Sequence, residues 1–189
     1  NFSELVVLGD SLSDCGNAGR FCDGPVWVEL LAADLELEAR PARRGGTNFA
    51  VGGAHIAGGE NDLSHQLDAL LERCHGRLDP DALYVVYAGG NDLLAGMASV
   101  HLFHAAERAA VALDGILGRM VEAGACRFLL ANLPDLGLTP AVVSFAIPLS
   151  KLARRLTRTF NARLADMVAA RNATGEARMV LVDVFGEVQ

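Results

Sequence analysis

At 189 residues the chain has the size of one domain, and its 51% apolar content is ample for a packed core. Sixteen basic against twenty-three acidic residues leave a net charge of −7, which argues against nucleic acid and anionic membrane surfaces as main partners. The longest apolar stretch, 128–150, is interrupted by Asp135 and by Pro134, Pro140 and Pro148, so it predicts no transmembrane segment.

The first element is Val6-Val7-Leu8-Gly9, a continuous apolar run that reads as a buried strand. It stops at Gly9 and runs into the polar turn Asp10-Ser11-Leu12-Ser13-Asp14. In an open parallel sheet, ligands sit outside the carboxyl ends of the strands, so Ser11 is placed where a nucleophile would be useful. Residues 26–35 predict a short helix with Pro25 near its start. Trp27 on that helix lies near the Ser11 turn in sequence, but packing against the sheet explains it as well. Leu35-Glu36-Leu37-Glu38-Ala39 alternates and predicts a brief edge strand. The basic cluster Arg40, Arg43 and Arg44 follows, and then the glycine-dense stretch Gly45 to Ala54, whose backbone must approach something closely or adopt positive φ.

Residues 62–75 predict an amphipathic helix with Asp62 as its N-cap. The apolar run Leu83-Tyr84-Val85-Val86-Tyr87 is a second strand, and it delivers Gly90-Asn91-Asp92 to its carboxyl end. A long helix over 100–122 closes at Gly124, residues 127–132 form a third strand, and 148–170 carry apolar residues at helical spacing. The arginines of that last helix, Arg154, Arg155, Arg158 and Arg163, read as its solvated face. Residues 179–185 are a final strand. Alternating strands and helices predict one α/β domain over 1–189: a three-layer α/β/α sandwich around a doubly wound parallel sheet of about five strands.

His101 and His104 have a metal-chelating separation but no third ligand, and there is no Cys-x-x-Cys, so neither a metal nor another cofactor is expected. Cys15 and Cys22 bracket a short loop and are spaced to pair; a bridge there would point to an oxidising compartment. The chain opens at Asn1-Phe2-Ser3 without a basic or apolar leader, consistent with a mature or trimmed form, and a secreted or periplasmic location is expected.

Gly9-Asp10-Ser11-Leu12-Ser13-Asp14-Cys15-Gly16-Asn17 closely resembles the first block of the GDSL, or SGNH, hydrolases, and in particular its bacterial lipase and esterase branch. Asn48-Phe49-Ala50-Val51-Gly52-Gly53-Ala54 is similar to the second block, and Gly89-Gly90-Asn91-Asp92 to the third, in the family's order. The loop Leu133-Pro134-Asp135-Leu136-Gly137-Leu138-Thr139-Pro140 resembles a recurrent Pro/Gly loop of the family and would border the site. The resemblance implies a flavodoxin-like sheet and a serine hydrolase acting on lipid, short-chain acyl or acetylated-sugar esters. Ser11 would be the nucleophile, with the N–H groups of Ser11 and Gly53 and the Asn91 side chain as oxyanion donors; Asp10, Asp14 and Asn17 would border the substrate.

In that family the base histidine and its acid come from a later Asp-x-x-His block, which does not follow the last predicted strand. Asp62-Leu63-Ser64-His65 has the spacing, but it falls between the second and third blocks and is explained by helix capping. His55, two residues past Gly53, has nothing in the sequence to orient it. The expectation is therefore that Asp and His come from a C-terminal fragment or a second chain. A non-catalytic ester- or glycan-binding relative, or an inactive fragment, stays open as an alternative on the same fold.

Overall fold

The computed structural model describes residues 1–99, 104–144 and 147–187. Four strands, β1 (Leu5–Gly9), β2 (Leu83–Tyr87), β3 (Arg127–Ala131) and β4 (Arg178–Val182), form a parallel sheet in that spatial order. The register pairs Val6 with Tyr84, Tyr84 with Phe128 and Phe128 with Met179, so one row of large side chains crosses the sheet on a single face.

That face is the main core. It is covered by α2 (Leu63–Arg73), α4 (Ala105–Glu122) and α6 (Ile147–Thr174), whose apolar stripes contribute Leu63 and Leu67, Leu113 and Leu117, and Leu156 and Phe160. On the opposite face Leu5, Val7, Leu83 and Val85 pack against α1 (Trp27–Asp34) through Val28 and Ala32. Short helices α3 (Gly90–Met97), α5 (Pro140–Val143) and α7 (Val184–Glu187) sit just beyond the ends of β2, β3 and β4.

The predicted edge strand at 35–39 is absent. Leu35, Glu36 and Leu37 instead close α1, donating to the carbonyls of Leu31, Ala32 and Ala33, with Glu36 at a left-handed φ of 57°. Their alternating pattern is the signature of a helix end turning back onto its own core face. The fifth strand-like segment lies twelve residues later, inside the glycine-rich stretch. Val7 N–H donates to Thr47 O, Phe49 N–H to Val7 O and Val51 N–H to Gly9 O, at 3.0, 2.7 and 3.1 Å, so residues 47–51 run parallel along the free edge of β1. With this segment the spatial order becomes second, first, third, fourth, fifth, the flavodoxin-like winding, and its crevice falls at the carboxyl end of β1.

The long helix predicted over 100–122 is described from Ala105; its first residues, including His101, lie outside the described part. Cys15 and Cys22 are free thiols, the first buried and the second exposed, so the pairing that would have pointed to an oxidising compartment is not made. Among the described residues no helix is long and apolar enough to cross a membrane, and no group of three potential ligands could hold a metal ion.

Candidate active site

The turn after β1 is held from three sides. Gln66 of α2 reaches under the sheet and doubles the Gly9 peptide: Gly9 N–H donates to its Oε1 at 2.9 Å, and its Nε2 donates to Gly9 O at 2.8 Å. Asp10 closes the turn by accepting Leu12 N–H on its carboxylate and Ser13 and Asp14 N–H on its carbonyl. Ser11 stands half-buried at the crest, and its hydroxyl and N–H make no hydrogen bond to any described residue.

Asp14 is wholly buried, and its two oxygens accept four backbone donors: Gly16 and Asn17 on one, Ala18 and Gly52 on the other. The last of these, at 2.9 Å, fastens the glycine-rich loop to the Ser11 turn. Asn17 adds to the joint by donating to Asn48 O and Ala50 O, both at 2.8 Å, while buried Asn48 donates to Ser13 O. Asp10, Asp14 and Asn17 thus surround the Ser11 turn with their polar atoms directed into the scaffold that shapes it. Gly53 then projects outward at φ 80°, a left-handed backbone that favours glycine, and its N–H is bonded to no described residue.

The third segment joins on the far side of this loop. Asn91, on the first turn of α3, donates from Nδ2 to Ala54 O at 2.8 Å, which leaves the second amide hydrogen free. Its neighbour Asp92 accepts Ile56 N–H at 3.1 and 3.2 Å and faces His55 Nδ1 at 3.9 Å. One chain of hydrogen bonds therefore runs from Asp14 to the 52–56 loop and on to the start of α3.

Burial raises the pKa of Asp10 to about 6, and the charge of Asp92 adds to the shift. Burial also raises that of Asp92, against the Ile56 N–H and His55, which favour its charged form. Tyr87, buried and close to Asp10, is shifted upward by both causes. The ground beneath the turn is thus dry and negative, a setting in which hydrogen bonds are strong and unpaired charge is costly.

Of the two histidines weighed as bases, His65 is exposed at the start of α2. Its ring lies 2.9 Å from Asp62, which caps that helix by accepting His65 N–H at 3.1 Å and Gly59 N–H at 2.9 Å. Hydrogen bonding to Asp62 raises the His65 pKa; the Asp62 pKa is lowered because these bonds outweigh its burial. His55 has only the longer approach to Asp92. His104 stands at the N-cap of α4.

Three neighbours of the site were not singled out by sequence. Gln66 was indistinguishable from a surface residue of an amphipathic helix. Phe21 is exposed, yet its ring lies so close to Gly52 that a Cβ there would meet it at 2.1 Å. Asp92 was only the letter after the asparagine. Trp27 packs on the sheet as the plainer reading had it, edge-on to Tyr87 at 6.1 Å, while its Nε1 donates to Ser13 Oγ at 3.1 Å. The predicted Pro/Gly loop forms a single 3₁₀ turn, Leu136–Leu138, capped by Asp135.

A family model, GDSL-like Lipase/Acylhydrolase, matches residues 5–189. Lipase 1 of Photorhabdus luminescens is 29% identical over 157 residues, covering 77% of this chain and 24% of that protein. Esterase EstA of Pseudomonas aeruginosa is 30% identical over 225 residues, covering 91% and 34%. The chain thus spans between a quarter and a third of the length of these two relatives. A member of the lipolytic G-D-S-L family from Veillonella parvula shares the fold, with a TM-score of 0.60 at 16% identity over 97% of this chain and 78% of that one.

Proposed function

Because the chain belongs to the GDSL-like lipase/acylhydrolase family, we propose that it cleaves carboxylic esters through an acyl-enzyme on Ser11. The observation that carries this reading is the hydrogen-bonded path from Asp14 through Gly52 and Ala54 to Asn91, which gathers the three motif segments at the carboxyl ends of β1 and β2. The lipase and esterase names of the two relatives support the same ester class, with a lipid, short-chain acyl or acetylated-sugar ester as substrate.

In this reaction Ser11 Oγ attacks the acyl carbon and gives its proton to a base. The negative oxygen that forms is received by the N–H groups of Ser11 and Gly53 and by the free amide hydrogen of Asn91. Collapse of the intermediate expels the alcohol, which takes up the proton from the base, and water then releases the acid by the same sequence in reverse. The scaffold contributes pre-orientation: one buried carboxylate, Asp14, holds the 16–18 turn by three N–H groups and the glycine-rich loop by a fourth, so little rearrangement is needed as charge develops.

The base in this proposal is a histidine from outside these 189 residues, paired with an acid on a further segment or a second chain. Two features support it. His65 is tied to the cap of α2 at 2.9 Å, and His55 approaches no carboxylate closer than Asp92 at 3.9 Å among the described residues. The outer face of β4 is bare, with Val180 and Val182 exposed at 47% and 41%, as suits a sheet awaiting another covering element.

The test is active-site labelling of the protein in its full natural length with a fluorophosphonate probe, together with turnover of a chromogenic short-chain ester. Labelling at Ser11 with turnover, both lost in Ser11→Ala, is the expected result. A properly folded full-length protein that neither labels nor turns over would overturn the reading in favour of an ester- or glycan-binding relative.

A further inference from the structure

The first three turns of α6 stand clear of the sheet. Phe160 packs so closely under Gly89, at the end of β2, that a Cβ there would meet its ring at 2.8 Å. Asn161 brackets Leu133, just past β3, accepting its N–H at 2.9 Å and donating to its carbonyl at 2.8 Å. At the other end Asn172 does the same for Met179, near the start of β4. Residues 161–172 therefore span the sheet from its carboxyl to its amino edge. The helix from Lys151 to Phe160 rises about 13 Å above the carboxyl edge, the edge that carries Ser11.

This raised part has an unusual charge pattern. From 136 to 165 the sequence carries five cations and no carboxylate, in a chain whose net charge is −7, and Lys151 is the protein's one lysine. Lys151, Arg154, Arg155 and Arg158 line one shallow groove of about 450 Å³ with Thr159 and Ala162, on the side of α6 away from Leu156 and Phe160. Arg154 is paired with Asp135; Lys151, Arg155 and Arg158 form no ion pair with any described residue, and Arg158 lies over the Phe185 ring at 5.7 Å.

Beside the stripe the 136–144 loop presents apolar side chains to solvent. Leu138 is 53% exposed and Val143 56%. The loop is welded to the helix: Arg154 Nε donates to Asp135 Oδ2, and a Cβ on Gly137 would meet Ser150 O at 2.4 Å. Cations and apolar side chains thus share one ledge beyond the carboxyl edge of the sheet. Charge would draw such a ledge to an anionic interface, and its apolar side chains would enter the headgroup layer.

We infer that this ledge, Lys151, Arg155 and Arg158 with Leu138 and Val143, docks the protein on an anionic phospholipid surface and turns the Ser11 edge toward it. The net charge of −7, which argues against an anionic membrane as a main partner of the whole surface, is screened at the ledge. At physiological ionic strength fields decay within about 8 Å, so a membrane in contact with the ledge senses chiefly the local charges: the stripe itself, with the exposed Asp183 and Glu187 on either side of the Phe185 that Arg158 covers. The inference borrows from the proposed function only the use made of docking; binding itself is read without turnover.

Sedimentation with vesicles tests it, comparing phosphatidylcholine alone with phosphatidylcholine containing about one-third phosphatidylglycerol. The protein is expected to bind the mixed vesicles, to ignore the neutral ones and to be released as salt rises from about 0.05 to 0.5 M. The triple variant Lys151→Ala, Arg155→Ala, Arg158→Ala should lower partitioning on the order of 100-fold, at about fivefold per cation. A charge-matched control, Arg77→Ala, Arg108→Ala, Arg178→Ala, should change it less than about threefold. Leu138→Asp with Val143→Asp should weaken binding while leaving the thermal midpoint in place. Absence of binding to the anionic vesicles, or equal losses in the two triple variants, would overturn the inference. Labelling of Ser11 by the fluorophosphonate probe, read without vesicles, reports separately on the catalytic reading.

Discussion

β1 and β2 are buried along their whole length, whereas β4 alternates between one buried residue and an exposed neighbour, and β3 lies between these extremes. Both ends of the sheet share the helical layer of α2, α4 and α6; only the β1 end has α1 on its other side. The polar scaffold is distributed in the same way. Gln66, Asp14, Asn17 and Asn48 crowd around the end of β1, while past β4 the exposed Asp183 carboxylate and the Phe185 N–H meet one side chain, Asn132. The finished end of the sheet is where the proposed nucleophile and oxyanion donors stand. The bare end is where the proposed base would arrive, so the two halves of the chemistry depend on two differently completed halves of one sheet.

Substitutions on either side can break this comparison. The largest effect is expected from Asn91→Ala, which removes one proposed oxyanion donor: kcat for ester hydrolysis in the full-length protein should fall about 10² to 10³-fold with little change in KM. A fall below about fivefold would remove Asn91 from the site. Next comes Asp14→Ala. With four backbone N–H groups deprived of their acceptor, one of them buried and three partly buried, stability should drop by ~3 kcal/mol and Tm by on the order of 10 °C, measured by calorimetry.

Asp10 sharpens the same side through pH. Its folded-state pKa is raised to about 6 from an ordinary carboxyl value of 3.8, so the folded protein holds its proton more tightly than the unfolded chain. Stability from this group is complete below pH ~4, declines as pH rises toward 6, and is flat above. Asp10→Asn keeps the acceptor for Leu12 N–H and should flatten that decline by about 2 kcal/mol, seen as converging urea midpoints at pH 4.5 and 7.5. An unchanged slope would assign the decline to other groups.

The smallest pair of effects addresses the sheet itself. Val85→Ala, in fully covered β2, should cost about 2 kcal/mol; Val182→Ala, on exposed β4, under about 0.5. Equal costs in the full-length protein would mean that a further segment already covers β4 there, which locates the missing layer directly.

Much of this was legible in the sequence, for physical reasons that also explain the gaps. Strands buried on both faces, such as Leu83–Tyr87, must be continuous apolar runs and so announce themselves. Ser11, Gly53 and Asn91 were singled out because the segments that carry them resemble family blocks whose order the chain preserves. The edge segment at 47–51 was hidden because its pairing with β1 is made by backbone groups, and its side chains include the asparagine and small residues that a loop would use. Leu35 to Ala39 misled in the opposite direction: a helix terminus folding back on its apolar face also alternates over a few residues. Gln66 left no trace, since a polar letter in a helix does not say whether it points to water or inward.

That glutamine couples the Ser11 turn to α2 as firmly as to β1. A primary amide offers one donor and one acceptor at nearly the spacing of a peptide unit, so Gln66 works as a counterfeit residue of strand placed beside Gly9. The height at which Ser11 stands is then gauged by a helix as well as by the strand that leads into it. A slide or tilt of α2 would be passed to the hydroxyl through two short bonds, with no flexible loop between to absorb it.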